Sequence, residues 1–170
     1  MPLSSAASVS IAGALTATLA QGQATYPFGL SRSVSLVDGT GAGAANRVWT
    51  ATRTLAASAS EDLDLAGVLT DAFGATVSFA KVKGLMVTAA DTNSNNVIIG
   101  GASSNGFISW VGAATHTVTV RPGGALALLA GSADATGYAV TASTGDLLKV
   151  ANSGGGSSVT YSIAIIGTSA

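Results

Sequence analysis

The sequence predicts an all-β fold, an antiparallel β-sandwich, on three observations. Apolar residues alternate with small polar ones at a period of two. Clusters of Gly, Asn, Asp and Ser punctuate the chain about every ten to twelve residues, the spacing of strands in a sandwich or barrel. No helical period is sustained over a dozen or so residues, so the chain offers no amphipathic helix.

Composition supports one core and narrows the function. A chain of 170 residues is long enough to bury most of its apolar surface in a single domain. Charged residues form 9% of it, against roughly 25% in ordinary soluble domains, and Ser, Thr, Asn and Gly take their place. A net charge of -1 with a mean hydropathy of +0.52 excludes the disordered class, which combines low hydrophobicity with high charge. Arg32, Arg47, Arg53, Arg121 and Lys149 are scattered singly and only Lys81 and Lys83 are close, so no basic stripe addresses nucleic acid. The absence of cysteine removes disulfides and thiolate metal sites.

Taken from the N-terminus, residues 1–24 superficially resemble a secretory signal. No Lys or Arg precedes Arg32, however, and Ser, Thr and Gln interrupt the apolar residues, so neither an h-region nor a membrane span is expected. They are predicted to form an extended N-terminal arm or first strand, with the β-sandwich at residues 25–170. Strands are expected at 14–19, 34–37, 47–54, 75–82, 84–89, 96–99, 107–111, 125–129, 138–142 and 147–150. The two clearest are the run ending in His116, Val118 and Val120 before Pro122-Gly123-Gly124, and the alternation of Val159, Tyr161, Ile163 and Ile165. Loops such as DGTGAGAAN, DTNSNN and NSGGGSS join them, built from residues that accept positive φ or close turns with their own side chains. Within 61–73 one helical turn is conceivable, although Gly67 interrupts the apolar face. No fixed-period repeat suggests a solenoid.

Residues that do chemistry are scarce. His116, the sole histidine, would need an orienting acid and a neighbouring hydroxyl to act as a base. A hydrogen-bonded core or interface role beside Val118 is the simpler expectation. Glu61, Asp62 and Asp64 are the one acidic cluster; paired carboxylates can cleave glycosides, but on a strand these read as a charged edge that deters stray pairing. DTNSN at 91–95 imitates the start of a calcium loop and then fails, with Asn96 at the turn glycine and Ala102 at the bidentate glutamate. Gly39, Gly41 and Gly43 have neither phosphate-loop spacing nor a following helix. Trp49, Trp110, Tyr26, Tyr138 and Tyr161 could stack on sugar rings, or fill volume in a core or subunit interface. The expectation is therefore a non-enzyme with no catalytic residue, no cofactor and no metal.

The stretches NRVWTATRTLAASASEDLDLAG, LTDAFGATVSFAKVKGLMV, TVTVRPGGALALLA, GYAVTASTGDLLKVANSGGGSSVTY and IAIIGTSA resemble a family of small virion proteins of tailed bacteriophages, over residues 26–170. The resemblance implies a jelly-roll-like sandwich on the virion, first as a capsid decoration (cement) protein on the head. Its implied partners are the major capsid protein and further copies of itself, with a homotrimer favoured, and neither nucleic acid nor membrane. Residues 1–24 are the expected contact, by strand addition. The alternative is a tail-tip or fibre domain that binds a host glycan through exposed Trp49 or Trp110.

Overall fold

The computed structural model describes residues 2–170; Met1, the first residue of the expected arm, lies outside the described residues. The molecule is all-β, and it consists of a two-sheet sandwich with a long two-stranded ribbon attached.

The ribbon comes first in the chain. Strands β1 (Ser5–Leu19) and β2 (Gly22–Asp38) pair antiparallel from Ser5↔Leu36 to Leu19↔Gly22. A two-residue loop, Ala20-Gln21, joins them, and Gly22 takes a φ of 138° just after it, a value that a side chain would oppose. The short β3 (Ala44–Ala45) adds to β2 in parallel. The expected arm is thus a hairpin, and the boundary drawn after residue 24 falls inside β2.

The sandwich holds its strands in two sheets. One runs in the order β11 (Ala125–Leu129), β8 (Lys81–Ala89), β14 (Val159–Thr168), β4 (Arg47–Leu55), with β12 (Tyr138–Ala139) also on β8. The other runs β10 (Thr117–Val120), β9 (Val97–Gly100), β13 (Leu147–Asn152), β5 (Ser60–Asp64). All pairs in both sheets are antiparallel. Period-two alternation sends Trp49, Leu85, Val87, Ile163 and Ile165 inward from the first sheet and Leu63, Val97, Ile99, Leu148 and Val150 inward from the second, into one continuous core. The small pair β6 (Leu69–Thr70) and β7 (Thr76–Val77), with Leu65 and Phe79, closes one end.

Local chemistry explains where the expected elements differ. The segment 61–73 makes the end of β5, a turn and the short β6 rather than any helix, because Asp64 accepts the Ala66 N–H at 2.9 Å and closes the chain on itself. The run 75–82 is split: Thr76–Val77 forms β7, and only its end from Lys81 continues into the run 84–89 as β8, whose register slips opposite Ile166 and Gly167. Lys83 falls in that irregularity and is buried; its ammonium donates to the Asp134 carbonyl, and burial pushes its pKa below the ordinary lysine value. Residues 107–111 form no strand, since Trp110 folds back to donate to the Phe107 carbonyl at 2.9 Å.

Candidate assembly interface

The residues singled out for chemistry are placed apart or used structurally. His116 precedes β10 and is exposed rather than in the core, its ring lying over Gly112. No acid or hydroxyl bonds it among the described residues.

Neighbouring acids on β5 point to opposite sides, as any strand requires. Glu61 faces inward with Leu63, where its two oxygens accept from Arg53 Nη1 at 2.8 Å and from the Tyr161 hydroxyl at 2.9 Å. Tyr161 is fully buried, and burial together with the Glu61 carboxylate pushes its phenol well above the ordinary value. Glu61 therefore ties the edge strand of one sheet to Arg53 on the edge strand of the other. Asp62 and Asp64 occupy the outer side of β5, an edge strand of its sheet.

The two asparagines of the calcium-like loop are spent on hydrogen bonds within the chain. Asn93 accepts from Thr160 N at 2.8 Å and donates to Thr160 O at 2.8 Å, acting as one more rung beside β14. Asn95 donates to Asn152 and Ser157. The glycine loop is closed by its own backbone, since the N–H groups of Val37, Gly39 and Ala44 bond to the Gly43, Ala45 and Gly41 carbonyls.

Aromatic residues do not form a platform. Trp49 is only 3% exposed, with the Arg53 guanidinium 5.6 Å from its ring centroid, so the exposed Trp49 required for stacking on a glycan is absent. Trp110 and Tyr138 are half-buried against the core, Tyr161 is within it, and Tyr26 stands far off on the ribbon. A cleft of about 480 Å³ lies between Leu3, the start of β4 and the 71–75 loop, but its charges are engaged locally: Arg47 donates to the Asn46 carbonyl, and Asp71 accepts from Phe73 N and Ala75 N.

What stands out instead is the ribbon. Cross-strand partners share a face, so the register puts Val9, Ile11, Leu15 and Leu19 of β1 beside Tyr26, Phe28 and Leu30 of β2 on one side. The other side carries only residues such as Ser8, Ser10, Thr16, Thr25, Ser31 and Ser33. At its base the apolar side is covered. Val34 and Leu36 are buried with Ala45 against Leu3 and Ile166, and Ala7 approaches Gly84 on the outside of the sandwich. Beyond the base the same side is open, with Leu30 78% and Tyr26 70% exposed. Phe28 lies across Gly13, where an added Cβ would sit 2.7 Å from its Cζ. The sequence carries a signal for this face, odd positions 9 to 19 and even positions 26 to 30, with the parity switching at the two-residue turn. Comparisons with protein-family models, with curated proteins and with solved structures returned no match for this chain.

Proposed function

We propose that the protein is a structural virion component, a capsid decoration protein that seats on the outer surface of a phage head and braces it. The observation that carries this reading is the ribbon: an amphipathic two-stranded extension, anchored at its base and apolar along its open length, is a device for contact and not for catalysis. Strand β1 ends its sheet, so its outer edge also offers unpaired N–H and C=O groups to a neighbouring strand.

Wiring of the sandwich supports the jelly-roll form of the reading. Taken in chain order as β4, β5, β8, β9, β10, β11, β13 and β14, the strands divide between the two sheets so that the first pairs the last, the second the seventh, the third the sixth and the fourth the fifth. Jelly rolls follow this pattern, and capsid proteins use that architecture. With acids and histidine dispersed or engaged, the body acts as a rigid block, and bracing would come from many repeated contacts of about 1,600 Å² each.

The test is a virion reconstruction together with heating of particles. Density over the head, and DNA release at lower temperature from particles lacking the protein or carrying residues 10–31 replaced by Asn-Gly, is the expected result. Density confined to the tail tip, or unchanged release in both variants, would overturn it.

A further inference from the structure

We infer that the open apolar side of the ribbon is a self-association surface, covered by the same side of the ribbon from further copies of this chain. The inference deepens the structural reading above by naming what covers the ribbon. It is tested on the purified chain alone, so self-association and head binding can fail separately.

Size is the first reason. The large side chains from Val9 to Leu30 offer on the order of 100 Å² each, or about 700 Å² per copy, which exceeds the largest apolar patch of a typical monomer, about 300–600 Å². It also approaches the roughly 800 Å² that each partner gives to a stable specific interface. A two-stranded ribbon is marginal in water by itself and gains stability when a second layer covers it. Two ribbons packed face to face at about 10 Å supply that layer to each other.

Charge selects the occupant. From Ser5 to Leu30 the ribbon has no ionisable group except Tyr26, and Arg32 turns its guanidinium back toward Gly131 of the body. Nothing on the open side therefore repels an identical side. A lipid surface is disfavoured, since amphipathic helices that lie in a bilayer interface carry Lys and Arg on their polar side, whereas here that side holds Ser, Thr, Ala, Gln, Pro27 and Gly29 and no charge. A charged protein partner would find nothing to recognise.

Continuity with packing already present is the third reason. Val34 and Leu36 on this side are buried at the base, so the interface with a second copy extends a dry contact that the chain has already made with itself.

The purified chain at about 10 μM is expected to sediment as a closed oligomer. Paired replacement Ile11→Ser and Leu30→Ser, on directly opposed positions, should weaken association at least about 100-fold with an unchanged thermal transition of the sandwich. Because the chain lacks cysteine, Leu30→Cys should be cross-linked between copies by a bismaleimide, which spans facing sheets about 10 Å apart, and Ser31→Cys, on the polar side, should not. A chain that stays monomeric at 10 μM overturns the inference, as does an oligomer that persists in the paired variant. A monomer that co-sediments with phosphatidylcholine vesicles would reassign the surface to lipid.

Discussion

Glu61 shows how a residue that reads as chemistry becomes structure. On sequence it belongs to an acidic triplet, yet the alternation along β5 turns it away from Asp62, and its oxygens are committed to Arg53 and the buried Tyr161 hydroxyl. Replacing Tyr161 by Phe leaves a half-buried carboxylate oxygen short of its donor, and should cost about 1–2 kcal/mol by urea denaturation. Glu61→Gln keeps an acceptor for the phenol and loses an ion pair whose Arg53 side chain is 40% exposed, so its cost should stay within about 1 kcal/mol. The pH dependence has a definite sign. The folded state keeps the Tyr161 proton above the ordinary phenol value, so as pH climbs past about 10 the unfolded chain releases a proton that the folded chain retains. Stability therefore falls with rising pH there, and Tyr161→Phe should fall less steeply. Equal slopes in the two proteins would refute the assignment.

Elements were legible wherever large and small residues alternate on a half-buried strand. Val159, Tyr161, Ile163 and Ile165 specify β14, and Val97 with Ile99 specifies β9. Strands β1 and β2 were legible only at their ends, because Ala, Ser and Gly dominate their length and a period built of small residues is faint. Partner choice was not legible at all, since it depends on contacts distant in sequence, such as Asn93 with Thr160. Nor could sequence show that Glu61 and Tyr161 meet, for they come from different sheets. Gly167 illustrates the same limit. It follows the register slip in β14, where an added methyl would run into the Lys81 carbonyl and sit 2.8 Å from Phe79 Cδ1. Backbone cannot yield as a flexible side chain can, so Gly167→Ala should destabilise by about 3 kcal/mol or more or abolish soluble folding. Gly156→Ala, with open space around its Cα, is the control; equal stability of the two variants would show that the close approach is relieved at no cost.

At the scale of the whole molecule, the chain separates a sandwich block from a largely open ribbon. The main core draws nothing from β1 or β2, while the small cluster at the ribbon base uses Val34, Leu36 and Ala45. Low charge then has a structural counterpart: the open apolar side of the ribbon lacks the lysines that usually guard such surfaces. If the two parts are energetically separate, replacing residues 10–31 by Asn-Gly keeps the base rungs up to Val9↔Arg32, a hydrogen-bonded pair in register with Leu19↔Gly22, and closes them with a favoured hairpin turn. The sandwich should then melt within about 3 °C of the full chain's sandwich transition, a shift worth roughly 1 kcal/mol at this size. The comparison belongs at submicromolar concentration, because an oligomer of the full chain would raise its apparent melting temperature by mass action. A fall of about 10 °C or more in the shortened chain at that dilution would mean that the ribbon stabilises the sandwich within a single copy, and the division into block and ribbon would be wrong.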